Sequence, residues 1–221
     1  MRVVFGGTFD PVHVGHIKMA LELKDCLSLD TLYLMPCFKA AHKNAVSASA
    51  EHRCNMLNLA VKQFKSLQID DREILRGETS YTIESMKELR RLIGNESLCF
   101  VLGSDALQSF VSWKNVEMFS SLAHLIIINR PVDQDVMSIN DPLSQSELLS
   151  VSNLENLGYL PAVSYVDLAQ STNGYYLSVE LSKIKVSSSM IRERVTKKES
   201  IETLVADEVN QYICDNGLYL T

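Results

Sequence analysis

Residues 2–16 read Arg2-Val3-Val4-Phe5-Gly6-Gly7-Thr8-Phe9-Asp10-Pro11-Val12-His13-Val14-Gly15-His16. An apolar run meets two glycines, then a turn, then two histidines around a third glycine. Ile17, Ala20 and Leu21 continue at helical spacing. The stretch predicts a strand, a tight loop whose backbone can approach a ligand, and a helix whose N-terminus faces that loop. Helix N-termini carry N–H groups without intrahelical acceptors and partial positive charge, which suits phosphate. Two imidazoles there add donors where phosphate charge develops. A plain strand–turn–helix capped by a histidine pair would use the same residues. So would a metal site, but zinc asks for more ligands and no cysteine pair stands nearby.

The same alternation continues outward. Strands are expected at Val3–Phe5, Thr31–Met35, Leu67–Ile69, Leu98–Leu102, Leu125–Ile128 and Val163–Leu168, while Tyr175–Leu181 reads either way. Helices are expected from Val14 to about Leu27, at Glu51–Phe64, Ile83–Ile93, Asp105–Phe110, Asn115–Ser121, Ser187–Val195 and Ile201–Asn216. Ser80 or Thr82 is the expected cap of the Ile83 helix, and Ser200 that of the Ile201 helix. Strands separated by helices of this length make βαβ units, hence an α/β fold with a parallel sheet covered on both faces. Ligands in such sheets sit beyond the carboxyl ends of the strands. That rule gathers Gly6–His16, Pro36–Lys43, Gly103–Asp105 and Arg130 on one edge. Residues 131–162 are less regular and carry no evident chemistry.

At 221 residues, 46% hydrophobic, the chain is expected to be a single domain over 1–221, with a helical C-terminal part from about 187. No run is long and apolar enough to span a bilayer, and no signal-peptide pattern precedes the first strand. The net charge of −6 argues against a general nucleic-acid binder. The five cysteines are scattered, with no CxxC pair, so reduced thiols and a cytoplasmic setting are expected. No P-loop, no Gly-x-Gly-x-x-Gly after the first strand and no Gly-x-Ser-x-Gly elbow occur. No pattern sets an oligomeric state.

Gly6–His16 resembles the GGTFDPVHxGH motif of nicotinate-nucleotide adenylyltransferases, and His13–His16 the HxGH motif of the wider nucleotidyltransferase superfamily. Val186-Ser187-Ser188-Ser189-Met190-Ile191-Arg192 resembles that superfamily's ISSTxIR segment, with Val186 and Ser189 as mild departures. Pro36–Lys43 resembles a loop that ends in Pro-His-Lys, but Ala41 stands where proline is usual. Ser80-Tyr81-Thr82, Asp105 after Gly103, Trp113 and the C-terminal Tyr212-Ile213…Gly217-Leu218-Tyr219 extend the likeness over nearly the whole chain.

The resemblance implies a Rossmann-like fold and transfer of the adenylyl group of ATP to nicotinate mononucleotide, giving deamido-NAD and pyrophosphate. His16 would stabilise the α-phosphate with His13 assisting, and Lys43 and Arg192 would hold the leaving pyrophosphate. Gly6, Gly7, Thr8, Phe9, His16, Asp105, Ser187, Ser188 and Arg192 would bind ATP. Ser80, Tyr81, Thr82, Trp113 and Arg130 would bind nicotinate mononucleotide. Mg²⁺ would be held by substrate phosphates, with no ligand from the protein. Neither nucleic acid nor membrane is an expected partner. Asp10 would hold the loop through backbone bonds, and His52 and His124 read as structural. The alternatives are a superfamily enzyme with another acceptor, such as pantetheine phosphate or a cytidine nucleotide, and a nucleotide sensor without turnover.

Overall fold

The computed structural model describes residues 1–40, 47–129, 152–182 and 184–220, with only the backbone at Asp105. Its strands are β1 (Arg2–Gly7), β2 (Leu32–Pro36), β3 (Lys39–Ala40), β4 (Leu67–Ile69), β5 (Thr79–Ser80), β6 (Leu98–Gly103), β7 (His124–Asn129), β8 (Leu160–Pro161) and β9 (Tyr175–Glu180). The helices are α1 (Val14–Cys26), α2 (Ala50–Val61), α3 (Arg72–Arg76), α4 (Thr82–Ile93), α5 (Ser104–Phe110), α6 (Tyr165–Ala169), α7 (Ser188–Thr196) and α8 (Asp207–Asp215). A 3₁₀ turn covers Val116–Ser121, and residues 152–156 are helical.

Seven strands form one sheet in the order β4-β2-β1-β6-β7-β9-β8, and β3 pairs with β5 apart from it. The β2–β4, β6–β7, β7–β9 and β8–β9 pairings are all parallel. From β1 the chain adds strands on one side and then, at β6, on the other. The expected Rossmann-like α/β class is what the chain adopts.

The chain divides into two compact units. The first holds Met1–Val4 and Tyr81–Lys183, and the second Phe5–Ser80 and Ile184–Thr221. In the first unit, Leu98–Leu102 and Leu125–Ile128 are almost wholly buried, as apolar runs covered on both faces should be. Each such Leu or Ile contributes roughly 1.5–3 kcal/mol by burial. Helix α4 buries Ile83, Met86 and Leu89 at helical spacing and stops at Gly94, whose φ of +59° suits glycine. In the second unit, Val12, Leu23, Leu32, Leu34, Met56, Leu57 and Val209 form the interior.

Three local expectations are corrected. Val163–Leu168 is not a strand: Ser164 and Asp167 form a capping box that starts α6, with Leu168 buried and Val163 exposed. Ile201–Asn216 is not one helix. The Leu204 carbonyl accepts the Val14 N–H at 2.9 Å, and the regular helix starts only at Asp207, after Ala206 and without Ser200 as its cap. A tertiary bond thus takes the acceptor that helix propagation would have used. Neither Ser80 nor Thr82 caps α4. Ser80 lies in β5, where its hydroxyl accepts the Phe38 N–H at 2.9 Å, and Tyr81 is the cap residue without a side-chain bond. The short elements β3, β5 and α3 had no periodic signature to announce them.

Candidate active site

In the second unit, β1 runs into a loop that packs on its own side chains. Phe9 has a φ of +50° and is buried, and its ring lies 5.0 Å, centroid to centroid, from that of His16. A Cβ on Gly7 would come within 2.7 Å of that Phe9 ring, so glycine lets the ring close down on the strand end. The loop ends at His13, the cap of α1. His16 N–H donates to His13 Nδ1 at 3.3 Å, and His13 N–H donates to His16 Nδ1 at 3.3 Å. The two rings stack with centroids 3.7 Å apart. A neutral imidazole that accepts at Nδ1 carries its proton on Nε2. Both rings therefore present an Nε2–H donor at the start of a helix.

Asp10 organises this loop, as expected from the sequence. Its carboxylate accepts Ser47 N–H at 2.8 Å, Ala48 N–H at 3.1 Å and the Tyr219 hydroxyl at 2.8 Å. Burial, and then the Asp10 carboxylate itself, push the Tyr219 phenol up, so it stays a donor. Arg53 is fully buried in α2. It donates to the carbonyls of Thr8 at 2.7 Å, Phe38 at 2.7 Å and Ala48 at 3.3 Å. One guanidinium thus ties three loop segments, with its donors directed in a fixed fork. Cys37 lies beside it, and burial pushes its thiol up against the opposing pull of Arg53.

Helix α7 brings Arg192 to the same loop. Ser187 caps α7 by accepting the Met190 N–H at 3.2 Å, and Ser188 donates to the Pro11 carbonyl at 2.9 Å. Arg192 donates from Nη1 to the Asp10 carbonyl at 2.7 Å and from Nη2 to Ser189 Oγ at 3.1 Å. Gly15 allows the close fit: a Cβ there would sit 2.8 Å from Val186 Cγ1 and 3.0 Å from the His13 ring.

In the first unit, Tyr81 and Thr82 open α4, and the cap residue Tyr81 makes no side-chain capping bond. Lys114 Nζ stands 4.3 Å from the Tyr81 ring centroid and 3.9 Å from Glu84. Its neighbour Trp113 meets Phe110, Phe119 and Phe100 edge-on at 5.3, 6.0 and 6.2 Å. The indole is only partly buried, so it is held by the aromatic core while keeping some exposure. Gly103 is the cap residue of α5, and Asp105 lies in its first turn. Among the described residues no group of three or more His, Cys, Asp or Glu could hold a metal ion. No helix among them is long and apolar enough to cross a membrane.

A family model described as Cytidylyltransferase-like matches residues 4–194. A protein of Vesicomyosocius okutanii subsp. Calyptogena okutanii (strain HA), "Probable nicotinate-nucleotide adenylyltransferase", is 34% identical over 95% of this chain and 91% of its own. One of the same description from Cellvibrio japonicus (strain Ueda107) is 37% identical over 98% and 97%. The nicotinic acid mononucleotide adenylyltransferase of Plasmodium falciparum, solved in complex with NaAD, superposes with a TM-score of 0.70. It shares 21% identity over 98% of this chain and 96% of that one, a likeness of fold.

The chain belongs to the nicotinate-nucleotide adenylyltransferase family.

Of the residues that resemblance to this family pointed to, Gly6, Gly7, Thr8, Phe9, His13 and His16 fall in one loop and helix start. Ser188 and Arg192 are fastened to the same loop, and Ser187 caps the helix that carries them. Ser80 ends the second unit, with its hydroxyl engaged by Phe38. Tyr81, Thr82, Asp105 and Trp113 belong to the first. Lys43, Ala41, Arg130 and most of 131–162 lie outside the described residues. Two residues central to the loop had no role assigned from sequence: Arg53, and Tyr219, which entered only as part of the C-terminal likeness. In sequence, Arg53 reads as a polar position of an amphipathic helix, and Tyr219 as one aromatic after a helix stop. Only the carbonyls and carboxylate that surround them reveal their work.

Proposed function

We propose that this chain catalyses adenylyl transfer from MgATP to nicotinate mononucleotide, forming deamido-NAD and pyrophosphate in the cytoplasm. The observation that carries this reading is the reciprocal His13–His16 cap, in which Nδ1 of each ring accepts a backbone N–H and the proton is left on Nε2 beside a helix N-terminus. The acceptor phosphate is already ionised at neutral pH, so the reaction needs no general base. Its oxygen attacks the α-phosphorus in line as the bond to the pyrophosphate oxygen breaks. Negative charge grows on the α-phosphate oxygens. Fixed donors from His16 and His13 stabilise it without reorganising. Arg192 and Lys43 neutralise the leaving pyrophosphate, and Mg²⁺ enters with ATP as part of the substrate. By resemblance to the family, Gly6–Phe9, Ser187 and Ser188 would contact the ATP phosphates, and Asp105 would be a further ATP-binding residue.

The start of α4 at Tyr81 and Thr82 would offer N–H groups to the pyridine carboxylate, and Trp113 a face for its ring. By resemblance to the family, Arg130 would add a positive charge for the same substrate. Pyrophosphate release from MgATP tests the reading, with nicotinate and then nicotinamide mononucleotide as acceptor. Release that prefers the nicotinate form supports it, and no release with either overturns it.

A further inference from the structure

Tyr219 lies just beyond α8, past a turn at Gly217, and is itself held at a φ of +64°. A bulky residue in the left-handed region persists only where its surroundings hold it. Here two bonds do so. The buried hydroxyl donates to Asp10 Oδ1 at 2.8 Å, and the carbonyl accepts from Thr196 Oγ1 at 3.0 Å. Thr196 Oγ1 also lies 3.1 Å from the Arg192 carbonyl, one turn back along α7. Arg192 in turn donates to the Asp10 carbonyl at 2.7 Å. The four residues close a ring: Tyr219 to Asp10, Asp10 to Arg192, Arg192 to Thr196, Thr196 to Tyr219.

Each link has a definite consequence. Asp10 sits in the loop that ends at His13, so what fixes Asp10 fixes the path into the histidine pair. Thr196 and Arg192 share one helix, so what fixes Thr196 fixes the tilt of α7. Without the Tyr219 bonds, the Arg192 and Ser188 hydrogen bonds carry more of the link between loop and helix, and the spacing between them is less firmly set. Small displacements of groups that contact phosphate are costly to binding and catalysis.

We propose that Tyr219 is a positioning residue for the nucleotide phosphates, a clamp that sets the spacing between the His13–His16 loop and Arg192. This rests on the proposed function for the identity of the ligand. The test compares Tyr219→Phe with Tyr212→Phe, a control whose hydroxyl also bonds side chains, His52 and Asn55, but away from the loop. Affinities for MgATP and for adenosine are measured by calorimetry and ligand-observed NMR, well below each variant's melting temperature.

Tyr219→Phe is expected to bind MgATP about tenfold more weakly while adenosine affinity is unchanged, because the hydroxyl orders only the phosphate-facing groups. Tyr212→Phe should change neither. With nicotinate mononucleotide present, kcat of Tyr219→Phe should also fall, again by about tenfold. Unchanged MgATP affinity overturns the proposal. So does an equal loss for MgATP and adenosine, which would mark Tyr219 as merely part of the fold. Failure of the wild type to turn over nicotinate mononucleotide, with MgATP bound and these affinities as expected, overturns the acceptor assignment and leaves the clamp standing. A wild type that does not bind MgATP overturns both.

Discussion

The rings of His13 and His16 stack at 3.7 Å, and each accepts the other's backbone N–H at Nδ1. The helix start and the candidate catalytic donors are therefore one device. The bonds that cap α1 also choose the tautomer that aims a proton outward from each ring.

His16→Ala removes a donor expected to act mainly in the transition state. Turnover should fall by roughly a hundredfold or more with KM for ATP little changed. Far-ultraviolet circular dichroism should match the wild type. A fully active His16→Ala protein would refute the assigned role.

Gly15→Ala places a methyl 2.8 Å from Val186 Cγ1 and 3.0 Å from the His13 ring. Overpacking of this kind costs about 1–3 kcal/mol. Denaturant titration should show that loss, and Val186→Ala in the same chain should restore part of it. Activity should recover less than stability, because the contact with His13 remains.

Arg53→Met leaves the carbonyls of Thr8, Phe38 and Ala48 without their guanidinium donor. Each buried acceptor so stranded costs about 1–3 kcal/mol. The urea midpoint should drop sharply. Arg53→Lys, which keeps the charge but not the planar fork, should recover only a fraction of the loss.

His124 is buried at the start of β7, where Nδ1 accepts the Tyr175 N–H at 3.0 Å and Nε2 faces the Ser171 carbonyl at 3.2 Å. Burial, above all, lowers its pKa below the usual histidine value. The unfolded chain titrates near pH 6.5, so below that pH it takes up this proton more readily than the folded chain. Stability from this group is therefore retained above about pH 6.5 and falls as the solution is acidified. Melting temperatures measured from pH 7.5 down to 5 should show that slope. In His124→Gln it should be reduced, from a lower starting stability.

Much of the architecture was legible because it is local. Leu98–Leu102 and Leu125–Ile128 are apolar runs that only a doubly covered strand accommodates, and both are strands. The Gly6–His16 pattern foretold a strand, a loop and a helix start, since glycines, a capping position and a helical period are read within a few residues. Asp10 was expected to anchor the loop through backbone bonds, but the groups it holds, on Ser47 and Ala48, come from 37 and 38 residues away and were not legible.

What the sequence left open depends on partners distant along the chain. The apolar spacing of Ile201, Leu204 and Val205 says helix, but Val14 claims the Leu204 carbonyl and a turn results. Val163–Leu168 is a short run rich in strand-forming residues, yet Ser164 and Asp167 close a capping box. Ser80 has the composition of a cap, but the Phe38 N–H reaches its hydroxyl from 42 residues away. Arg53 and Tyr219 show the limit most plainly. A charge at a helix position and an aromatic after a glycine have no local signature of their roles. A buried polar group acquires its role from the donors and acceptors that other segments bring to it. Sequence by itself set the class of fold and the chemistry of the loop. The tertiary structure alone decided which side chains hold that loop in place, because hydrogen bonds between remote segments exist only once the chain has folded.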